Sequence, residues 1–289
     1  AVDQRKVVLI TGCSSGIGRA LAIEFDSLNH LPNSPDKFWV FATARNLQSL
    51  TQLPSGIERV QLDVNDQASV KSAVHLVTSQ TSGRIDILIN NAGTNLAVGP
   101  VIETDLSRMR STFEPNFFGL ISVTQAVAPF MIKSGRGGKI VNIGSTAAYA
   151  ALPYGATYSA SKAAVHALSD ALRLELAGFG IRVIVVAPGA IRSSIGDAGS
   201  SNVSVSSDSF YKDVEDMIFK RANYSQTGKP EPTPTDIFAR DVRKELVKKC
   251  PRAYITSGSR SFGAWLGYYM PIWLKDWIVG RIFQTSRIG

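Results

Sequence analysis

Cysteine and histidine are scarce in this 289-residue chain, with two of the first and three of the second. Cys13 and Cys250 lie far apart and match no metal-ligand spacing. That excludes a zinc module and a disulfide framework, and a reduced, intracellular protein is the expectation. His30 and His75 fall outside any motif and read as exposed. The start, AVDQRKVVLITG, enters an apolar run almost at once, so no signal peptide is expected. An internal repeat and a long low-complexity linker are both missing, and the length suits one large α/β domain or two small ones. The apolar stretch Phe262–Phe283 is no membrane span either. Its longest charge-free run, Phe262–Leu274, has thirteen residues, short of the roughly 17–25 that cross a bilayer.

What is present describes an ordinary globular core: 44% apolar and 19% charged residues. The net charge of +8 is concentrated at one end, because Ile237–Gly289 carries ten Lys/Arg against three Asp/Glu. A basic region could serve nucleic acid, but one that also holds three of the four tryptophans, Trp265, Trp273 and Trp277, suits anionic lipid better, and no nucleic acid is expected as a partner.

Strand-type and helix-type segments alternate along the chain. Strands are expected at Lys6–Thr11, Phe38–Ala44, Arg59–Leu62, Ile85–Asn90, Lys139–Ile143 and Arg182–Ala187. Helices are expected at Gly16–Leu28, Asn65–Thr81, Tyr158–Phe179 and Asp236–Lys249, with one long helix over Leu106–Ser134. The runs VVLI, ILI and VIVV do not alternate, as befits strands buried on both faces. Repeated βα units of this kind predict a Rossmann-like, doubly wound parallel sheet in three α/β/α layers. Residues 1–260 form that domain, with 194–235 as a substrate lid that includes the serine-rich loop Gly199–Ser209, and 261–289 form a basic aromatic tail.

Thr11–Gly18, TGCSSGIG, follows a strand and opens a helix, so its glycines let the backbone approach a pyrophosphate at the helix N-terminus. An ordinary tight turn is the alternative. Arg45 ends the second strand where a carboxylate would hold ribose hydroxyls. Arginine there favours a 2′-phosphate, with Ser14 and Ser15 as further donors, and predicts NADPH over NADH; a solvated surface arginine is the other reading. Tyr158 and Lys162 stand four apart on one helix face, where an ammonium eases proton exchange by a phenol of ordinary pKa about 10. Ser145 follows the strand KIVNIG, and Asn116 lies on the preceding long helix.

In this order, TGCSSGIG, Asn90-Asn91-Ala92-Gly93, Asn116, Ser145, Tyr158-x-x-x-Lys162 and Pro188-Gly189 resemble the short-chain dehydrogenase/reductase family over roughly 5–195. The resemblance implies that Tyr158 gives a proton to a carbonyl oxygen held by Ser145. It implies that Lys162 binds the nicotinamide ribose and favours tyrosinate, and that Asn116 holds a relay water. Gly12, Gly16, Ile17 and Gly18 would line the pyrophosphate, Asp63 with Val64 the adenine, and Asn90, Ala92 and Gly93 the ribose end. Pro188, Gly189, Ile191 and Ser193 would frame the nicotinamide, with Ser193 where the family usually has threonine. Pro115 sits directly before Asn116 inside a helix, which would loosen that turn and expose a carbonyl to the relay water, or be a tolerated kink. His166, one turn past Lys162, reads as packing or dimer surface, and Cys13 as an inert small residue. A homodimer through the Asn116 helix and the catalytic helix is implied.

Among subgroups, the glycine turn and ATAR resemble 17β-hydroxysteroid dehydrogenase-type enzymes. PTPTDIFARDVRKELVKK and the tail with MPIWL resemble fungal NADPH-dependent 1-acyldihydroxyacetone-phosphate reductases. The expected activity is therefore NADPH-dependent reduction of an amphiphilic ketone in glycerolipid synthesis. The alternatives are a broad carbonyl or steroid-type reductase and a catalytically idle, nucleotide-sensing scaffold. A helix from Pro271 would group Trp273, Trp277 and Phe283 beside Lys275, Arg281 and Arg287. That suits a peripheral anchor at the endoplasmic reticulum or a lipid droplet, the rival being a tail folded over the cleft.

Overall fold

The computed structural model describes residues 3–32, 34–193, 195, 203 and 205–288, and the apolar runs become seven strands of one sheet. They are β1 (Lys6–Ile10), β2 (Phe38–Ala44), β3 (Glu58–Gln61), β4 (Ile87–Asn90), β5 (Gly138–Ile143), β6 (Ile181–Pro188) and β7 (Tyr254–Ser257). Their order is β3-β2-β1-β4-β5-β6-β7, and every neighbouring pair is parallel. The order reverses between β1 and β4, where the carboxyl ends of doubly wound strands open a crevice.

Nine helices are described: α1 (Gly16–Ser27), α2 (Gln67–Gln80), α3 (Leu106–Phe113), α4 (Gly119–Ser134), α5 (Ala156–Glu175), α6 (Glu215–Ala222), α7 (Thr235–Leu246), α8 (Ser261–Tyr269) and α9 (Ile272–Ile282). One face of the sheet packs on Leu21 and Phe25 of α1 and on Phe238, Val242 and Leu246 of α7. The other packs on Val70, Val74 and Val77 of α2 and on Val123, Val127 and Met131 of α4. Fully buried strands such as Val7–Ile10 explain the missing alternation in the sequence.

Local chemistry sets several boundaries. Asp66 caps α2 by accepting from the Ala68 amide at 2.9 Å, so the helix starts later than its apolar pattern suggests. α4 stops at Gly135, whose φ of +63° leaves the helical region. The long helix expected over Leu106–Ser134 is not uniform. Glu114–Phe118 forms a π-helical turn between α3 and α4, closed by the Gly119 amide on the Glu114 carbonyl. Pro115 lies inside this turn, where its missing N–H and ring favour a departure from α geometry. This stretch is the one described helical segment long and apolar enough to cross a membrane, yet Val123, Val127 and Met131 are spent on the core.

Other segments depart further from expectation. β7 extends the sheet beside β6, and four residues with one fully enclosed side chain, Ile255, were too few to announce a strand. The helix expected over Tyr158–Phe179, α5, starts at Ala156 and ends at Glu175, followed by a 3₁₀ turn at Ala177–Phe179. Part of the segment expected as a lid, 194–235, is helical: α6 buries Met217 and Ile218. Five of the eleven residues of the serine-rich loop, 199–202 and 204, lie outside the described residues.

The tail folds onto the domain as α8 and α9. Phe283 is fully buried among Tyr154, Val214, Met217 and Ile218, so it does not join Trp273 and Trp277 as expected. The helix rotates it inward, whereas Trp273 and Trp277 stay 69% and 57% exposed. Arg287 pairs with Asp216 of α6 at 3.2 Å, and Lys220 donates to the Ile282 carbonyl at 3.0 Å. The tail thus both clamps α6 and presents an aromatic face to solvent.

Candidate active site

β1 delivers Thr11 and Gly12 to the crevice. Gly12 has φ +70°, and a Cβ there would stand 2.8 Å from the Ala92 Cα. At Gly18 a Cβ would collide with the Gly12 carbonyl and the Asn91 amide. Backbone therefore packs on backbone, and Asn91 locks it: its Nδ2 donates to the carbonyls of Thr11 at 2.9 Å and Gly12 at 3.0 Å. Thr11 Oγ1 accepts from the amides of Asn91 at 2.9 Å and Ala92 at 3.0 Å. Ser14 and Ser15 are exposed on the turn, Gly16 starts α1, and Ile17 leans on the core. No acidic residue occupies the first turn of α1, so its positive dipole end faces the crevice without a carboxylate. Cys13 turns inward, donates to the Ile10 carbonyl at 3.3 Å, and burial pushes its thiol up to about 12. A buried, protonated thiol of this kind packs as a small residue.

The other rim residues follow strand ends in turn. Arg45, just past β2, is exposed, and its guanidinium makes no hydrogen bond or ion pair among the described residues. Asp63 follows β3 and accepts from the Asn65 amide at 3.0 Å; Val64 beside it is buried against the Gly119 backbone. The Asn90 side chain turns away from the rim into a buried ladder, donating to Thr124 at 3.0 Å and to Asn142 Oδ1 at 2.9 Å. Its main chain is the part that borders the crevice, together with Ala92 and Gly93. On the opposite bank Pro188 ends β6, Gly189 donates to the Ser257 carbonyl at 2.8 Å, Ile191 is buried, and Ser193 donates from its amide to Gln226 at 3.2 Å. This glycine cradle, unopposed helix N-terminus and free arginine fit a nicotinamide dinucleotide.

β5 leads into Ser145, which starts a 3₁₀ turn by accepting from the Ala147 amide at 3.0 Å. Across from it, α5 carries Tyr158 and Lys162. The Lys162 ammonium is buried, donates to the Ile143 carbonyl at 2.8 Å and sits 5.8 Å from the Tyr158 ring centroid. Burial brings it down to about 8. Burial also raises the Tyr158 phenol, opposed by the Ser145 hydroxyl and by the positive charge of Arg221. Asn116 is held from both ends: Oδ1 accepts from the Thr94 amide at 2.7 Å, and Nδ2 donates to the Thr94 carbonyl at 2.9 Å and to Ser161 Oγ at 3.0 Å. Ser161 in turn donates to the Tyr158 carbonyl at 2.8 Å, tying the π turn to α5. Such a group can orient a carbonyl and deliver a proton to its oxygen.

His166 is buried rather than on a dimer surface. It packs edge-on against Tyr149 at 5.2 Å and Tyr254 at 5.6 Å, and its Nε2 accepts from the Ser145 amide at 3.4 Å. Burial, with Lys162 adding repulsion, lowers it to about 4, so it is neutral and acts as packing. Two side chains escaped the sequence reading. Ser161 hides inside the Tyr-x-x-x-Lys spacing, and Arg221 lies on α6 with no motif to mark it.

Comparison with known proteins agrees with this geometry. The family model described as short chain dehydrogenase matches residues 6–203. A short-chain dehydrogenase of Penicillium ochrochloron, ptmH, is 34% identical over 98% of this chain and 100% of its own length. An NADPH-dependent 1-acyldihydroxyacetone phosphate reductase of Schizosaccharomyces pombe is 37% identical over 67% of this chain and 62% of its own. The crystal structure of a short-chain dehydrogenase from Streptomyces avermitilis superposes with a TM-score of 0.75 at 27% identity, covering 98% of this chain and 99% of that one. The chain belongs to the short-chain dehydrogenase family. It is an oxidoreductase of the class that binds a nicotinamide dinucleotide.

Proposed function

We propose that the protein is an NADPH-dependent ketoreductase for an amphiphilic ketone, with 1-acyldihydroxyacetone phosphate foremost. The observation that carries the chemistry is the convergence of Ser145, Tyr158 and Lys162 on the crevice next to the glycine cradle. The exposed Arg45 supports NADPH, and the Schizosaccharomyces pombe relative supports the substrate class.

When bound, the cofactor supplies the hydride. Gly12, Ser14, Ser15, Gly16, Ile17 and Gly18 would hold its pyrophosphate side, Arg45 its 2′-phosphate, and Asp63 and Val64 its adenine. The main chain at Asn90, Ala92 and Gly93 would meet the ribose end, and Pro188, Gly189, Ile191 and Ser193 the nicotinamide. Ser145 donates to the substrate carbonyl oxygen, and Tyr158 passes its proton to that oxygen as it becomes an alkoxide. The Lys162 ammonium lowers the cost of the phenolate left behind. Asn116, pinned to Thr94 and Ser161, would place the water that returns a proton from solvent.

Two further proposals concern surroundings. The exposed face of Phe262, Tyr269, Ile272, Trp273 and Trp277, in a region of net positive charge, suits peripheral contact with anionic lipid, at the endoplasmic reticulum or a lipid droplet. An apolar groove of about 430 Å³ between α3 and α5, lined by Leu106, Met109, Phe113, Phe118 and Ala160, suits a homodimer.

A second reading, a reductase of broad or steroid-type ketones, is favoured by coverage. The Penicillium ochrochloron relative matches end to end, while the acyldihydroxyacetone phosphate reductase matches over two thirds of this chain. Cofactor oxidation by the full chain, with NADPH and NADH, on 1-acyldihydroxyacetone phosphate, a 17-ketosteroid and a small aryl ketone separates the two. Preference for the acyl phosphate with NADPH supports the first reading; equal or better turnover of the neutral ketones overturns it.

A further inference from the structure

Among the described residues, Arg221 is a cation without a counterion. It is 93% enclosed, at 7% exposure, on the inner side of α6. Among the described residues its guanidinium makes no hydrogen bond and no ion pair, and its Nε is a buried donor with no acceptor. The acids of its own helix are committed elsewhere: Glu215 to Lys212 at 2.8 Å and Asp216 to Arg287 at 3.2 Å. Removing a guanidinium from water without a partner costs several kcal/mol, so a protein that keeps one has a use for it.

Its position gives the use. The guanidinium lies against Gly155, where any Cβ would collide with Nη2, Cζ and Nε. Gly155 is the N-cap of α5, a twenty-residue helix with no side-chain cap and no acidic residue in its first turn. The positive end of the helix dipole and a buried arginine thus face the same point, and each would be repelled by the other without an anion between them. Gly155 is one helical turn, about 5 Å, before Tyr158, and Tyr158 and Tyr224 are the groups whose negative forms the guanidinium feels.

We propose that Arg221, with the open first turn of α5, binds the anionic group of the substrate, a phosphate ester a few bonds from the ketone carbonyl that Tyr158 protonates. The planar fork of arginine matches phosphate oxygens, and a helix N-terminus adds main-chain donors. Gly155 leaves room for the fork where a Cβ would otherwise stand. This rests on the ketoreductase reading above and specifies its substrate.

The test compares a matched pair, 1-acyldihydroxyacetone phosphate and its dephosphorylated ketone, with the full chain and NADPH. In Arg221→Met the ratio of kcat/KM for the phosphorylated over the neutral ketone falls by about 100-fold, chiefly through KM. Arg221→Lys restores part of it. Inorganic phosphate raises the Tm of the native chain and not of Arg221→Met. Without phosphate, Arg221→Met melts higher than the native chain, since an unpaired buried charge is gone, so misfolding cannot mimic the result. A phosphate-dependent Tm with no turnover of either ketone would sink the proposed substrate and keep the anion site. An unchanged selectivity ratio would overturn the site, as would a rate loss shared by both ketones with an upward-shifted pH profile, which would make Arg221 a positioning residue for Tyr158.

Discussion

Lys162 on α5 donates its ammonium to the carbonyl of Ile143 at the end of β5, nineteen residues earlier, at 2.8 Å. One hydrogen bond holds a buried charge under the cleft, and burial lowers the group from an ordinary 10.5 to about 8. Below pH 8 it is charged in both folded and unfolded chains, and the fold bears the full cost, roughly 3 kcal/mol at 1.36 kcal/mol per unit. As pH rises from 8 toward 10.5 the folded chain sheds the proton first and stability climbs. Lys162→Met should therefore be more stable than the native chain at pH 7, by about 1–3 kcal/mol, with the gap closing toward pH 10, while ketone reduction is lost. Denaturant titrations at both pH values check it; a variant less stable at pH 7 refutes the account.

His166 gives the opposite end of the pH scale. Burial holds it at about 4 in the folded chain, against an ordinary 6.5. The unfolded chain takes up a proton as pH falls through 6.5, and the folded chain does not until about 4. The stability is present above 6.5 and lost across that window, up to roughly 3 kcal/mol. His166→Gln keeps an acceptor for the Ser145 amide and should flatten the slope between pH 7 and 4.5. An identical slope in the variant would assign the acid sensitivity elsewhere.

Tyr158→Phe removes the proton donor and leaves the ring in place. The turnover number should drop by about 10²-fold to 10⁴-fold, while NADPH binding, followed by fluorescence, stays within a few fold. Retained turnover would take the proton-donor role away from Tyr158, and a cellular phenotype left intact by its loss would favour the idle-scaffold reading.

Arg45→Asp places a carboxylate where the 2′-phosphate is expected. The NADPH over NADH ratio of kcat/KM should fall by about 10-fold to 100-fold, the worth of one or two charge-assisted hydrogen bonds. An unmoved ratio would return Arg45 to the solvated surface.

Much of this site was legible because its parts are backbone devices with fixed spacing. TGCSSGIG must be glycine-rich because Gly12 and Gly18 sit where a Cβ would hit Ala92 and the Gly12 carbonyl. Tyr158 and Lys162 share a face because a helix repeats every 3.6 residues. What was not legible depends on partners distant in sequence. β7 is a strand because β6 offers an edge, and Phe283 turned inward because Val214 and, on α6, Met217 and Ile218 receive it. Arg221 carries no motif; only its burial beside Gly155 marks it.

Phe283 seats the chain's last helix behind α6, the helix that carries Arg221. The final residues therefore act as the hinge pin of the cleft wall. A cut before Phe283, or a fusion that pries α9 away, would alter which molecules are turned over although it touches nothing at the reacting atoms. If the outer aromatic face of the same helix rests on a lipid surface, docking there and gripping the substrate become one mechanical event.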